Sequence, residues 1–504
     1  MSDHQNRRLN PALLGQLPAS VAVPRYDRSK VGQAIVHIGL GNFHRAHQAL
    51  YLDELFHAQG AGPWGICGVG LLPQDRAMAE ALRPQEMLYT LVERDEGVET
   101  VRVIGSERGY LHAPSEPDAV IARLADPETR IVSITVTEGG YYLDHGTGEL
   151  DENHPNLRHD LAKPNETPLS LYGYMAEALN RRYKAGIAPF TVLSCDNLQS
   201  NGDLVGRMLT GFARLRDPEL GAWIESNVAF PNCMVDRITP VTTDLHREQV
   251  KALLGGITDA WPVVAEPFKQ WVVEDKFCNG RPDLAAVGVQ MTPDVHPYEL
   301  MKIHLLNAGH QMLCHYGILL GYVTADEAMR DADIRDLLNR YMDTVQPLIH
   351  EPPGVNLVDY QQTLLSRFAN PSVKDQLSRI AFYASSGIPK FVLPIAREQL
   401  KQRKPMDIFG LLIAGWIRYL GGKDDAGKAI TPTDPLKDEL QSKVRFGDTD
   451  PSAFLGLHQI FGSDLPQAEP FVSAVRKALE SLYAKGTRGH FAEFSEGLRP
   501  PARG

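Results

Sequence analysis

Short apolar runs alternate with amphipathic stretches along the first half of the chain. Residues 34–38 (Ala-Ile-Val-His-Ile) form a β-branched run, residues 46–59 carry helical periodicity up to Gly60, and residues 64–72 read as a second strand. The alternation continues through a hairpin over 89–104, a strand over 130–137, a helix within 168–184, a strand over 190–195 and a helix from Asn201, with further strands over 228–239 and 270–277. Strands separated by amphipathic helices predict an α/β fold with a largely parallel sheet and ligands at the carboxyl ends of its strands. From Pro297 the period becomes helical for most of the length, over 301–320, 325–349, 374–383, 394–404 and 407–420. The pattern predicts a Rossmann-type domain over residues 1–290 and a mainly α-helical domain over 291–504, with a mobile tail from Leu498.

The turn leaving the first strand is Gly39-Leu40-Gly41-Asn42-Phe43-His44. Gly39 would make the tight turn and Gly41 would admit a pyrophosphate held by the amides that open the next helix. His44 stands where a third glycine would complete Gly-x-Gly-x-x-Gly. Ile38, Gly39, Gly41, Asn42 and Phe43 are therefore candidate dinucleotide contacts, and Glu138, just past a later strand, joins them. An acidic residue for the adenosine ribose is expected about 20 residues beyond the glycines. Asp75 is the candidate although it lies 34 positions after Gly41; its alternative reading is a loop carboxylate capping a helix that starts near Arg76.

Residues 302–310 read Lys-Ile-His-Leu-Leu-Asn-Ala-Gly-His. On an α-helix Lys302, Asn307 and His310 fall within an arc of roughly 140°, so one face aims an amine, a carboxamide and an imidazole into one cavity. Ile303 and Leu306 would line its wall, while Met301, Leu305 and Ala308 pack into the core. The bland alternative is that each polar group reaches solvent at a domain edge. His44-Arg-Ala-His47 and His310-x-x-x-Cys314-His315 look ligand-like, but no Cys-x-x-Cys supports them and no metal is expected.

Taken together, Gly39-x-Gly41-x-Phe43-His44-Arg45-Ala46-His47 and the later Lys302-x-x-x-x-Asn307-x-x-His310 resemble the mannitol dehydrogenase family of polyol-specific long-chain dehydrogenases. Thr135-Val136-Thr137-Glu138 with Gly140-Tyr141-Tyr142, Ser194-Cys195-Asp196-Asn197, Met234 to Pro240, Glu274-Asp275 and Pro297-Tyr298-Glu299 carry the resemblance across nearly the whole chain. One departure is Gly139, where the family commonly has Lys. The resemblance implies metal-independent interconversion of mannitol and fructose, or a close polyol and ketose pair, with NAD favoured over NADP. Lys302 would be the general base, its pKa lowered by desolvation. Asn197 and Asn307 would hold the developing alkoxide, and His310 would bond a neighbouring hydroxyl. Asp236 and Arg379 are candidate substrate contacts, with a structural ion pair as the alternative for each. Glu299, one turn before Lys302, is a candidate proton relay or an ordinary helix N-terminal charge.

Composition narrows the alternatives. At 504 residues, 43% hydrophobic and 22% charged, the chain has the make-up of a two-domain globular protein. A net charge of −11 without a Lys/Arg block argues against nucleic-acid and anionic-membrane partners. The polar stretch 1–10 lacks a signal-like apolar core, the apolar run 408–417 is too short to span a bilayer, and five cysteines without paired spacing suit a reducing cytoplasm. The expected partner is a small polyol or ketose, bound by a monomer or small homo-oligomer. Competing readings are a uronate reductase of the same family, acting on fructuronate or tagaturonate, and a nucleotide-sensing regulator without catalysis.

Overall fold

The computed structural model describes residues 7–144 and 147–497; the tail from Leu498, expected above to be mobile, lies outside them. Two compact units divide the chain, Met1–His296 and Pro297–Gly504.

In the first unit four of the apolar runs, joined by a strand over Glu107–His112 that the pattern did not predict, form a five-stranded parallel sheet. Its strands are β1 (Ile35–Ile38), β2 (Ile66–Gly70), β3 (Glu107–His112), β4 (Ile131–Ile134) and β5 (Thr191–Ser194), in the order β3-β2-β1-β4-β5. On one face Ile35, Ile66 and Ile131 pack with the helix Gln48–Gln59; on the other Val36, Ile38, Val69, Val132 and Ile134 pack with the helices Pro117–Ala125, Leu171–Ala185 and Asn201–Arg216. Burial on both faces explains why β1, β2, β4 and β5 read as largely apolar runs. The chain winds outward through β2 and β3, then returns to the other side of β1 for β4. That reversal puts the ligand crevice of such a sheet at the carboxyl ends of β1 and β4, where Ile38 and Ile134 are register partners.

Three expectations change. The hairpin Tyr89–Asp95 with Val98–Ile104 forms, but in a separate four-stranded sheet with Val21–Ala22 and Val263–Ala265. The runs near 230 and 272 become β6 (Cys233–Asp236) and β7 (Gln270–Glu274), antiparallel partners in a third sheet with β8 (Gln290–Thr292). The helix expected over 46–59 starts at Gln48, and a short turn Asn42–Ala46 precedes it across a break at His47.

In the second unit the helix Asp407–Leu420 is buried at every residue from Ile408 to Leu420, packed among the helices Ala308–Leu319 and Glu469–Gly497. Burial all round requires an apolar surface all round, which accounts for the apolar run. Among the described residues no helix is long and apolar enough to cross a membrane. The helix expected over 325–349 is split into Ala325–Met329 and Ala332–Val345, because the Asp331 carboxylate accepts the Asp333 N–H and so caps a new helix start.

Glycine sets how closely the central helix is approached: a Cβ at Gly410 would lie 2.5 Å from the main-chain carbon of Ala474. Gly410→Ala should therefore lower stability by about 2 kcal/mol, overpacking outweighing the roughly 1 kcal/mol of helix propensity gained. Gly211, within Asn201–Arg216, has no neighbour within 4 Å of an added Cβ, and Gly211→Ala should raise stability by about 1 kcal/mol. Urea unfolding midpoints moving in the same direction for both variants would contradict this packing.

Candidate active site

Gly39 has φ +94°, and a Cβ there would sit 2.1 Å from the Thr135 carbonyl oxygen at the end of β4. Only glycine fits. Gly41 differs: an added Cβ meets nothing nearer than the Gly39 oxygen at 3.7 Å. The space over this backbone is open, as the close approach of a dinucleotide pyrophosphate to such a turn needs. The Thr135 hydroxyl donates to the Gly39 carbonyl at 2.8 Å, and the Asn42 amide donates to the Pro240 carbonyl at 3.2 Å and to the Thr242 hydroxyl at 3.0 Å. Phe43 stacks on His47 with ring centroids 5.0 Å apart.

The residue in place of the third glycine turns toward the sheet. His44 stacks on His37 of β1 at 3.4 Å between centroids and hydrogen-bonds Glu107 of β3 at 2.9 Å. Burial pushes the Glu107 carboxyl up to about 8 and the His44 imidazole down to about 3, both toward the uncharged form, which favours a hydrogen bond over an ion pair at this contact. His37 continues the chain of contacts to Ser133 at 2.8 Å and Thr135 at 2.9 Å. His47 bonds the Gln270 carbonyl at 2.9 Å. Both histidines of the ligand-like His-x-x-His thus have structural partners, and among the described residues no group of three or more His, Cys, Asp or Glu is placed to hold a metal ion.

Asp75 stands at the carboxyl end of β2, where a Cβ on Gly70 would meet the Asp75 Cβ at 2.5 Å. Its Oδ2 accepts the Leu72 N–H at 2.9 Å. The carboxylate closes its own turn, Pro73–Asp75, and makes no side-chain cap to the helix Arg76–Leu82.

β4 and β5 end in register, Ile134 beside Ser194. Beyond them Asp196 binds the two ends together. Its carboxylate accepts the Val136 N–H at 3.0 Å, the Thr137 N–H at 2.9 Å and the Tyr141 hydroxyl at 2.8 Å. Asn201 adds a brace, donating to the carbonyls of Asp196 at 3.0 Å and Cys233 at 2.9 Å. Asn197 follows Asp196 directly, and Glu138 opens the turn Glu138–Tyr141. Gly139 is exposed, with nothing within 4 Å of an added Cβ. Residue type and spacing assign no role to Asp196, Tyr141 or Asn201; the first two lie in the matched motifs, which is the available signal. Asp236 ends β6 and is 5% exposed.

In the second unit the expected single α-helix over 301–320 is instead three consecutive segments: the helix His296–Met301, a π-helical turn Lys302–Asn307 and the helix Ala308–Leu319. The Ala308 N–H reaches the Ile303 carbonyl five residues back. Residues five apart stack in such a turn as residues four apart do in an α-helix, so Lys302 and Asn307 share a face more closely than the roughly 140° of α geometry. Lys302 is 6% exposed, Glu299 is buried one turn earlier, and His310 packs on Phe368 with ring centroids 4.2 Å apart. Met301, Leu305 and Ala308 lie in the core, and so does Leu306, expected on the cavity wall. The Oδ1 of Asn307 is buried without a hydrogen-bond partner. Arg379 forms a two-point ion pair with Asp375, Nε to Oδ1 at 2.8 Å and Nη2 to Oδ2 at 2.6 Å.

Comparison with known proteins covers both units. The mannitol dehydrogenase Rossmann-domain model matches residues 33–286 and the mannitol dehydrogenase C-terminal-domain model matches residues 294–483. A mannitol 2-dehydrogenase of Aspergillus fumigatus is 44% identical, over 95% of this chain and 97% of its own. The structure of Pseudomonas fluorescens mannitol 2-dehydrogenase in ternary complex with NAD and D-mannitol is 43% identical, with a TM-score of 0.86 over 98% of this chain and 100% of that one. A substrate-free D-sorbitol dehydrogenase structure is 38% identical, with a TM-score of 0.90 over 96% of this chain and 100% of that one. With both domain models matched in order and relatives above 40% identity spanning almost all of it, the chain belongs to the mannitol dehydrogenase family.

Proposed function

We propose that this protein is an NAD-dependent polyol dehydrogenase that oxidises a secondary alcohol of mannitol, or of a closely related sugar alcohol, to the ketose, which for mannitol is fructose. The observation that carries the reading is the buried Lys302 sharing one face of the π-turn with Asn307, in a chain closely similar to an enzyme solved with NAD and D-mannitol. Gly39, Gly41, Ile38, Asn42, Phe43, Asp75 and Glu138 would hold the dinucleotide, which when bound supplies the hydride acceptor.

Lys302 takes the hydroxyl proton, since an ammonium that has lost its hydration is disfavoured against the free amine. Asn197 and Asn307 direct amide N–H groups to the alkoxide that develops, each such donor being worth about 3 kcal/mol in the transition state. His310 bonds an adjacent substrate hydroxyl. Glu299 passes the proton on from Lys302 to solvent. Asp236 and Arg379 bind further hydroxyls, Arg379 with its guanidinium oriented by Asp375. The enzyme works in the cytoplasm as a monomer or small homo-oligomer, a placement supported by its five free cysteines.

Oxidation of D-sorbitol is a second reading, favoured by the close structural likeness to a D-sorbitol dehydrogenase. Following the reduced coenzyme spectrophotometrically with mannitol, sorbitol, arabinitol, fructose and fructuronate separates the readings. Reduction of fructuronate in clear preference to fructose would make the protein a uronate reductase instead.

Lys302→Ala should abolish nearly all turnover and leave NAD affinity, read by fluorescence titration, within about twofold, because the amine serves proton transfer and not dinucleotide binding. Wild-type turnover in that variant would remove Lys302 as the base.

Asp75→Ala should narrow the preference for NAD over NADP, because a carboxylate beside the adenosine ribose accepts from its hydroxyls and repels a 2′-phosphate. The ratio of kcat/KM for the two coenzymes is the measurement. An unchanged ratio would leave Asp75 with only its turn-closing bond to Leu72.

A further inference from the structure

A π-turn shifts the carbonyl partners of a helix and persists only where something outside the helix satisfies the groups it displaces. In α geometry the Ala308 N–H would bond the His304 carbonyl, four residues back. Here it bonds Ile303 and Leu305, and the His304 carbonyl accepts a hydrogen bond from the Tyr341 hydroxyl at 2.9 Å. Tyr341 is 0% exposed, on the helix Ala332–Val345, and burial raises its pKa, so the phenol keeps its proton and remains a donor. The His304 side chain is tied as well, Nδ1–H donating to the Phe391 carbonyl at 2.7 Å. Two tertiary hydrogen bonds thus meet at His304, between Lys302 and Asn307.

We propose that Tyr341 is a positioning residue for the reaction: its hydroxyl takes the His304 carbonyl out of α-helical pairing, holds the π-turn, and thereby keeps Asn307 on the face of Lys302. Without that donor the buried carbonyl regains a partner by recruiting the Ala308 N–H, and the turn relaxes toward α geometry. Asn307 then rotates away from Lys302 by a large part of a right angle or more, while the packing around the ring is retained. The inference rests on the roles given to Lys302 and Asn307 under the proposed function.

Tyr341→Phe deletes only the hydroxyl and is the direct test. Polyol-oxidation kcat should fall at least tenfold, with NAD affinity and the urea unfolding midpoint showing that the protein is folded. Because Tyr341 acts through Asn307, the same substitution made in Asn307→Ala should cost less than threefold, a coupling that a general loss of packing would not produce. His304→Leu, which cuts the second tether, should show the same pattern and provides the test if Tyr341→Phe does not fold. A kcat within twofold of wild type for folded Tyr341→Phe, or the same fold-loss with and without Asn307, would overturn the proposal. The coupling to Asn307 is measured whichever residue is the base, so failure of the Lys302 assignment would show separately, as turnover retained in Lys302→Ala.

Discussion

The closest constraint in the first unit is the approach of β1 to β4 at the point where the chain reverses direction across the sheet. The Thr135 carbonyl occupies the space that any side chain at position 39 would need, and the Thr135 hydroxyl returns a hydrogen bond to the Gly39 carbonyl. That contact fixes the path of the backbone as it leaves β1, and with it the orientation of the amides from Gly41 to Phe43. Asp196 has the matching role at the neighbouring strand, gathering the chain after β4 onto the end of β5. The chain at both strand ends is held there by hydrogen bonds to main chain, which tolerate little displacement.

Much of this was legible in the sequence, for particular reasons. Strands buried on both faces must be apolar throughout, so β1, β2, β4 and β5 were visible as runs. β3 was not: it is an edge strand buried at Glu107, Tyr110 and His112 and only partly buried between them, and its Glu107 and His112 look like loop residues until their partners are known. The hairpin over 89–104 was visible but not its sheet, because strand pairing between distant segments leaves no local trace. The break at Asp331 carried a sequence signal, an aspartate followed by a new helical period, yet the continuous period across it masked the division.

The site was partly legible. Residue type and spacing singled out Lys302, Asn307 and His310, but the turn that brings the first two together was not predictable from period, since a π-turn depends on groups supplied by Tyr341 and Phe391, dozens of residues away. His44 illustrates the reverse. In sequence it is a mismatch to a glycine motif, whereas in the structure it supplies the contact between helix and sheet, by stacking and by a buried hydrogen bond, that a close-packed glycine would otherwise give.

The shift of the His44–Glu107 pair toward its uncharged forms has an electrostatic consequence for anion binding. An ionised carboxylate inside the sheet would set a fixed negative charge beneath a turn suited to a doubly charged pyrophosphate, in surroundings too apolar to screen it. Burial pushes Glu107 toward its acid form and so weakens such a field. Burial acts on both partners in the direction of their uncharged forms, which lets the stack of His37 and His44 and its bond to Glu107 sit inside the sheet as a polar contact without an ion pair.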